Sequence, residues 1–407
     1  MSGAQPTTLP AWLAEQARRR AHAPALHGKQ LGAWRSLRWD QVAAHTRALA
    51  AGLARRGFGE GDALLLAAPP SERAVLLSLA VQWLGGVAVP LEPSLGDTAL
   101  ARIVGHLSPR FALADDDTTL DRLRLLGVPV IDGNPRGLKA HPDPAVVGFD
   151  VLWTEGGNAL AEDPDALSEP RALVDDDAFI FVDARGEHEL VTQHLTHASL
   201  IEDAHAVVAR EGLDEHEEAF AARAFSASAQ ARYLIAPWLV AGFGIYFPEG
   251  LATRDNDRRE IAPTLVAGTR ETYARVAAIV RERLPASGWQ RKRVDAALRG
   301  TGGPLMRALA WWLVARPLRE VIGFARTRVA LVVGAPLDAS TRSLFTALRI
   351  DVHAWPDASD WRQVSALTAS RAHELGNPLI DSTRDATRDL ARARADEPRI
   401  DFGRVPS

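Results

Sequence analysis

The chain has 407 residues, of which 47% are hydrophobic and 24% are charged. This length indicates two or three folded units, and the composition excludes disordered and collagen-like proteins. The net charge is −4, from 47 basic and 51 acidic residues, so there is no basic field that would attract nucleic acid. Because the chain has no cysteine, disulfides, thiolate metal sites and a cysteine nucleophile are excluded as well.

The basic residues are unevenly divided, because only Lys29, Lys139 and Lys292 are lysine and the others are arginine. Abundant arginine and alanine are typical of a bacterial chain encoded by GC-rich codons. The last quarter of the chain therefore offers no lysine as a point charge for a phosphate or carboxylate.

Apolar runs alternate with amphipathic segments along the first 131 residues, and this rhythm predicts an α/β sheet with helices on both faces. The continuous apolar run Ala63–Ala68 is typical of a buried parallel strand. The other predicted elements, in chain order, are a helix from Leu9 to Arg20, a strand at Arg35–Trp39, a helix at Gln41–Arg56 capped by Asp40, a helix at Ser71–Leu84, and strands at Val87–Leu91, Phe111–Ala114 and Val128–Ile131.

A stretch rich in Pro, Asp and Gly, Asp132–Pro170, is predicted to be a loop or linker. The same rhythm then resumes with strands at Ala178–Val182, Gly244–Phe247, Thr264–Ala267, Val329–Val333 and Asp351–His353, and with helices at Thr196–Arg210, Arg270–Leu284 and Ala339–Leu348. We therefore predict a first α/β subdomain with its linker over residues 8–170, a second over 171–381, and a flexible tail over 382–407.

Two apolar segments bear on membranes. Tyr233–Phe247 has 15 residues, fewer than the ~20 needed to span a bilayer, and the start of the chain lacks the features of a signal peptide. Pro304–Pro317 contains Trp311, Trp312 and two arginines, and it is either a core-facing helix or an interfacial patch that touches membrane or acyl chains. We expect a cytoplasmic protein without a transmembrane segment, with peripheral membrane contact as an open alternative.

Several short motifs occur in a characteristic order: Thr8-Leu9-Pro10, then Leu84–Leu91, then Leu195-Thr196-His197, then Pro263–Gly268, and then Gly334–Asp338. In this order they resemble the large N-terminal domain of adenylate-forming (AMP-binding) enzymes, closest to long-chain fatty acyl-CoA synthetases. The resemblance implies an α/β fold of two layered αβα subdomains. In the family, Pro263–Gly268 precedes the acyl tunnel and Gly334–Asp338 is a turn near the adenine site.

The phosphate-binding motif of that family is not retained. The family has a Ser/Thr/Gly-rich loop ending in Pro-Lys-Gly, whose backbone N–H groups cradle phosphates. The matching segment here, Val182–His194, has one glycine, and Val191 takes the place of the lysine. Asp183, Glu187 and Glu189 add negative charge, and one carboxylate about 4 Å from a phosphate costs roughly 4 kcal/mol at an effective dielectric near 20. The segment is therefore predicted not to bind a triphosphate.

Other family positions have changed too. The family's Gly-Tyr-Gly-Leu-Thr-Glu corresponds to Trp355–Asp360, so Pro356 replaces the tyrosine that stacks on adenine, and Ser359 and Asp360 are shortened stand-ins for Thr and Glu. After Gly376–Leu379 the family's ribose-binding region and hinge have no counterpart, and neither does its small C-terminal lid domain with the catalytic lysine. On this resemblance we expect a degenerate homologue without the lid.

The remaining site candidates come from the resemblance. The residual catalytic candidates are Thr196, Ser359 and Asp360, and the residual cofactor-binding candidates are Gly334, Ala335, Pro336 and His197. Each also has a structural explanation, such as a helix start at Thr196 or a sterically required turn at Gly334. His194 and His197 are three residues apart, but no third ligand converges on them, so no metal is expected.

Three hypotheses follow. In the first, which we favour, the protein is catalytically inactive and binds an acyl or aromatic carboxylate or docks on a partner enzyme, with no cofactor. The apolar segments Tyr233–Phe247 and Pro263–Val276 would supply an acyl pocket, although burial in the core explains them equally well. In the second, it is an active or trans-complemented fatty acyl-AMP or acyl-CoA ligase that needs ATP, Mg²⁺ and coenzyme A. In the third, it is a structural subunit without a ligand.

Overall fold

The computed structural model describes most of the chain up to Gln363. The described residues are 5–92, 94–134, 141, 143–185, 189–221, 228–285, 287–298, 303–356 and 362–363. The candidates Ser359 and Asp360 and the predicted tail 382–407 lie outside the described residues.

Parallel strands dominate the structure. In chain order the strands are β1 Pro24–Gln30, β2 Ala33–Arg38, β3 Ala63–Ala67, β4 Val87–Pro90, β5 Phe111–Ala114, β6 Val130–Asp132, β7 Val146–Gly148, β8 Asp177–Arg185, β9 Glu189–Thr196, β10 Glu218–Phe220, β11 Gly244–Phe247, β12 Leu265–Thr269, β13 Val329–Val333, β14 Val352–Trp355 and β15 Arg362–Gln363. They form two sheets, an eight-stranded first sheet in the order β15-β9-β8-β4-β3-β5-β6-β7 and a seven-stranded second sheet in the order β14-β13-β12-β10-β11-β1-β2. The pairs β1–β2, β8–β9 and β9–β15 are antiparallel.

Helices connect the strands. In chain order they are α1 Leu9–Arg20, α2 Trp39–Arg55, α3 Glu72–Trp83, α4 Asp97–Leu107, α5 Asp117–Leu125, α6 Phe149–Glu162, α7 His197–Glu211, α8 Ser228–Gln230, α9 Ala236–Ala241, α10 Arg254–Ile261, α11 Arg270–Arg283, α12 Gly288–Leu298, α13 Pro304–Ala310, α14 Arg316–Val321 and α15 Ala339–Ala347. Most predicted elements are confirmed within a few residues. The cap of α2 is an exception, because Arg38 precedes the helix and Asp40 lies in its first turn.

The elements stack in five layers around three hydrophobic clusters. The largest cluster lies between the sheets, where Leu64 and Leu66 of β3 and Leu331 of β13 pack against a shared layer of helices. The intervening residues face the opposite way, since Leu65 packs under α4 and α5 and Val332 under α11 and α15. Successive side chains of a strand point to opposite faces, so each run is apolar throughout because both of its faces are buried.

The two sheets do not follow the chain order of the predicted subdomains. The early hairpin β1–β2 joins the second sheet through β11, whereas β8 and β9 join the first sheet through β4. Each half of the chain therefore contributes an edge to the sheet formed mainly by the other half. The subdomain boundaries at 170 and 381 stay predictions, and the exchanged strands link the halves.

The predicted linker Asp132–Pro170 is wrong from Val146 to Glu162, because these residues form β7 and the 14-residue helix α6. This helix packs along α2, and its glycines explain why it was missed. A Cβ on Gly156 would lie 1.7 Å from the carbonyl oxygen of Ala48, so only glycine allows the two backbones to approach this closely. Gly156 and Gly157 lower the intrinsic helix propensity, and the compensating contact is visible only in the tertiary structure.

Two helices contain a π-helical turn just before a proline. The turns Ala231–Ile235 and Trp311–Ala315 come two residues before Pro237 and Pro317. Proline has no N–H and its ring collides with the carbonyl four residues back, so a wider turn accommodates it without ending the helix. The helical segment Pro304–Val321 therefore runs through Pro317, beyond the apolar segment Pro304–Pro317 singled out in the sequence.

The core-facing interpretation of Pro304–Pro317 is wrong for its first half, because no residue of α13 is buried. Among the described residues, every helix is too short or too polar to cross a bilayer. Several large apolar side chains of this segment are exposed.

A pair of alanine variants in α6 tests the close packing of α2 and α6. Gly156→Ala is expected to lower the free energy of unfolding by about 1–3 kcal/mol or more, because the new methyl group collides with the backbone of α2. Gly157→Ala is the matched control, since a Cβ there has no neighbour within 4 Å. It is expected to leave stability unchanged or raise it by up to about 1 kcal/mol. Equal effects of the two variants in urea denaturation would contradict the packing argument.

Candidate functional site

Thr196 and His197 both have structural roles at the start of α7. The Thr196 hydroxyl accepts the Ser199 N–H at 3.2 Å, which is the usual N-cap bond. His197 is fully buried, and its Nδ1 accepts the backbone N–H of Leu9 at 3.2 Å. Burial lowers the pKa of His197 to about 4, so the imidazole is neutral at physiological pH. Both side chains therefore have a structural reason to be present, Thr196 as the helix cap and His197 as a buried partner of α1.

The positions of the family's phosphate loop form a regular hairpin. Strands β8 and β9 pair up to Arg185↔Glu189, so that only residues 186–188 separate them. In an extended strand successive N–H groups point to opposite sides, whereas an anion nest needs successive N–H groups that converge. Val182–Arg185 and Glu189–His194 therefore have no backbone geometry for cradling a phosphate.

The negative charge that a phosphate would meet at this hairpin is weaker than the sequence analysis predicted, because two of its aspartates have partners. Asp183 accepts a hydrogen bond from Arg185 Nε at 3.0 Å, and Asp177 lies 2.6 Å from Nδ1 of His194. The repulsion predicted from Asp183 is thus partly offset by its own neighbour, and Glu187 lies outside the described residues. The backbone geometry is the stronger argument against phosphate binding at these positions.

Gly334, Ala335 and Pro336 lie at the carboxyl end of β13. Gly334 has a φ of +83°, which favours glycine, and its N–H donates to the carbonyl of Trp355 at 3.0 Å. Ala335 and Pro336 are exposed, and Asp338 then caps α15 by accepting the Thr341 N–H at 2.8 Å. The turn thus has a steric reason to persist, at a sheet edge where α/β proteins commonly bind ligands.

The buried Trp355 and the side chains that contact it fill the region beside this turn. The Trp355 indole N–H donates to Glu211 Oε1 at 2.8 Å, and the guanidinium of Arg210 lies 4.5 Å over the Trp355 ring. Tyr233 donates its hydroxyl hydrogen to the carbonyl of Pro356 at 2.7 Å. Glu211 also bonds His353 and raises the pKa of that imidazole. Trp355 is thereby held in the interior and is not displayed as a stacking platform.

The two segments considered for an acyl pocket are largely core. Tyr233, Trp238 and Phe247 are buried, and Trp238 stacks on Trp39 with 4.8 Å between ring centroids. Tyr273, from the second segment, is fully buried and donates to the carbonyl of Leu331 at 3.0 Å. Burial in the fold accounts for the apolar character of both segments.

A groove that the sequence did not reveal lies on the outer helices of the second sheet. It has a volume of about 970 Å³ and lies among α11, α12, α15 and the segment Pro304–Val321. Leu284, Leu298, Leu344 and Trp311 provide apolar wall. Its charged lining residues are Arg281, Arg307, Arg342, Arg349 and Asp295. We call it the arginine groove, and its excess of positive charge with apolar surface suits an amphipathic anion.

A smaller cleft of about 230 Å³ lies where the carboxyl ends of strands from both sheets meet. Asp115, which follows β5, lines it, and burial raises the pKa of this carboxyl to about 6. Lys29 also lines it, but its ammonium is held by Asp257 at 2.8 Å and Glu260 at 2.6 Å. One of the few lysines of the chain is thus committed to ion pairs.

The five-layer fold, whose two sheets are mostly parallel, is also the fold of adenylate-forming enzymes. Residues 13–175 match the family model of AMP-binding enzymes. The structure is similar to that of a long-chain-fatty-acid-CoA ligase from Archaeoglobus fulgidus, with a TM-score of 0.66 and 12% identity over 91% of this chain and 69% of that one. The predicted fold class is therefore confirmed, and residues 13–175 carry the predicted resemblance to AMP-binding enzymes.

Two curated relatives match shorter parts of the chain. A naringenin synthase from Pestalotiopsis fici is 34% identical over 112 residues, which cover 28% of this chain and 4% of that protein. A 2-succinylbenzoate–CoA ligase from Salmonella typhimurium is 37% identical over 94 residues, which cover 23% of this chain and 20% of that protein. The chain thus spans only a small share of the curated relatives it matches.

The buried carboxyl of Asp115 gives a prediction on pH. Its pKa of about 6 lies above the ordinary value of 3.8, so between these two pH values the folded protein holds a proton that the unfolded chain has lost. Stability contributed by this group therefore falls as the pH rises through this window. Relative to wild type, Asp115→Asn should gain up to about 3 kcal/mol between about pH 4 and about pH 7.

Urea denaturation at the two pH values measures this gain. Asp117→Asn, at an exposed position two residues away, is the control and should show no comparable gain. The same pH dependence in wild type and Asp115→Asn would contradict the assignment.

Proposed function

We propose that this acyl-CoA synthetase-like protein does not form acyl adenylates and instead binds a carboxylate with an apolar acyl or aromatic body. The observation that carries the first half is the β8–β9 pairing, which runs through the family's phosphate-loop positions up to Arg185↔Glu189. Catalysis by adenylation depends on fixed donors aimed at phosphate charge. Paired strands offer no such convergent donors.

The side chains of neighbouring positions support the same conclusion. Thr196 is occupied as a helix cap, and His197 is buried and neutral. Val191 stands where the family has lysine, and its side chain is buried in the first sheet. In the described part of the hairpin, Arg185 is the one lysine or arginine that could neutralise a triphosphate. Its guanidinium is bonded to Asp183.

The arginine groove supports the second half of the proposal. Guanidinium groups pair with carboxylates in a planar, bidentate manner, and the leucines and Trp311 offer an apolar surface beside them. Its volume falls in the range of roughly 300–1,000 Å³ typical of small-molecule sites. The names of the matched ligases refer to a long-chain fatty acid and to 2-succinylbenzoate, both of which are carboxylates with an apolar body. The ligand class that we propose is the same.

Nucleotide binding is tested by thermal denaturation with Mg-ATP and by ATP–pyrophosphate exchange with a panel of fatty and aromatic acids. We expect no shift in melting temperature and no exchange. A ligand present at 100 times its Kd would stabilise the fold by about 2.7 kcal/mol, which is easily detected. Exchange above background with any acid would show that the protein is an active ligase.

Carboxylate binding is tested by calorimetry with saturated fatty acids of increasing length, with benzoate, and with the corresponding alcohols. Arg307→Gln and Arg342→Gln should each weaken binding of an acid about tenfold, since a hydrogen bond to a charged group contributes about 1.5–3 kcal/mol. Binding of the alcohols should not change. Arg316→Gln is the matched control, because Arg316 lies on the same helical segment but does not line the groove.

Two outcomes would contradict the groove as the site. One is acid binding that both groove variants leave intact, and the other is an equal loss of acid and alcohol binding. If neither ATP nor any acid binds, the structural-subunit hypothesis takes the place of this proposal.

A further inference from the structure

The helical segment Pro304–Val321 exposes a dense apolar surface. Five of the thirteen large hydrophobic side chains that are exposed among the described residues lie within nine consecutive positions. Leu305 is 82% exposed, Leu313 67% and Trp312 59%. The five residues, which we call the outer face, are Leu305, Met306, Leu309, Trp312 and Leu313. Such a concentration of exposed apolar side chains on a protein surface marks an interaction site.

The segment is firmly anchored on its other side, so the exposure does not come from a detached helix. Arg319 is buried and donates to the carbonyls of Phe324 at 2.9 Å, Thr327 at 2.8 Å and Arg349 at 3.1 Å. Ala315 is buried in the core on the outer side of the second sheet, and Trp311 packs against it. The inner side of the segment is thus fixed while the outer face meets solvent.

The charge around the outer face is opposite to that of the chain as a whole. Residues 288–321 contain seven basic and two acidic residues, and without the buried Arg319 and the groove-lining Arg307 the basic residues still outnumber the acidic ones by five to two. The whole chain has 47 basic and 51 acidic residues. An arginine guanidinium lies over the ring of each of two exposed tryptophans. Arg316 is 4.4 Å from the ring centroid of Trp312, and Arg293 is 5.1 Å from that of Trp289. Helices that lie in the membrane interface typically combine tryptophan and leucine on an apolar face with arginine and lysine on a polar face. This segment has the same combination of residues.

We propose that the outer face docks on a membrane surface that carries anionic lipid headgroups. The apolar side chains would enter the headgroup and acyl boundary, and the basic residues would pair with lipid phosphates. A second copy of this chain fits less well, because a two-fold interface would bring two positively charged surfaces together. The inference goes beyond the proposed carboxylate binding and needs no ligand in the arginine groove.

Flotation with lipid vesicles tests the apolar part. The wild type should bind vesicles of phosphatidylcholine mixed with phosphatidylglycerol much more strongly than vesicles of phosphatidylcholine alone. The triple variant Leu305→Ser, Trp312→Ser, Leu313→Ser should lose at least about tenfold in partitioning. The control Leu125→Ser, Trp153→Ser, Leu173→Ser removes two leucines and one tryptophan that are exposed elsewhere, and it should bind like wild type. Equal binding of the two triple variants would overturn the proposal.

Charge-neutralising variants test the electrostatic part. Lys292→Gln and Arg293→Gln should each weaken binding to the mixed vesicles about fivefold, since a basic residue near an anionic surface contributes about 1 kcal/mol. Their binding to phosphatidylcholine vesicles should stay unchanged. An equal effect on both vesicle types would contradict the electrostatic pairing.

A label at the outer face distinguishes the membrane from other partners of this surface. Since the chain has no cysteine, Leu305→Cys carries a single environment-sensitive dye, and Leu125→Cys is the matched position elsewhere. The dye at position 305 should shift to the blue only when mixed vesicles are added. A blue-shifted dye without vesicles would overturn the proposal: dependence on protein concentration would identify a second copy, and independence would identify a segment of the chain itself.

Discussion

The structure depends on one helical layer that serves two sheets. Leucines of β3 pack against this layer from one side and Leu331 of β13 from the other, with the Trp39–Trp238 stack inside it. Since apolar burial is the dominant favourable term in folding, a change in this layer would weaken both sheets together. The ends of β8 and β9 that carry the phosphate-loop positions, Asp183–Arg185 and Glu189, contribute no side chain to the hydrophobic cluster between the sheets. The core can therefore keep the fold of a ligase while the phosphate-loop positions change.

The sequence predicts those strands and helices that are determined by their own residues and immediate neighbours. Strands β3 and β13 read as continuous apolar runs, and α3 begins after a serine whose hydroxyl accepts the Ala74 N–H. The helix α6 was missed because its glycines are explained by contact with α2, more than 90 residues away in sequence. Strand β9 was missed for another reason. Glu189–Thr196 lie where the family resemblance implies a loop, and their side chains do not alternate between polar and apolar as a half-buried strand would.

The residues of the candidate site also fall into two groups, those whose roles were predictable from the local sequence and those whose roles were not. The helix start at Thr196 was foreseeable from its residue type, and so was the steric need for glycine at position 334, where φ is +83°. The burial of His197 was not, because its partner Leu9 belongs to a helix 188 residues earlier. The arginine groove draws its lining from four helical segments spread over residues 281–349. No local spacing shows that their arginines converge, although the preference for arginine over lysine was apparent from composition.

The same helical segment, Pro304–Val321, relates the groove to the outer face. Arg307 and Trp311 line the groove, whereas Leu305 and Trp312 point to solvent. An α-helix with its side chains is about 10 Å across, so the two surfaces are separated by little more than one helix. If both proposals hold, an acyl carboxylate that leaves the bilayer needs to pass only this segment to meet the arginines. The two sites use different side chains of the segment, and carboxylate binding can therefore be lost without membrane binding, or the reverse.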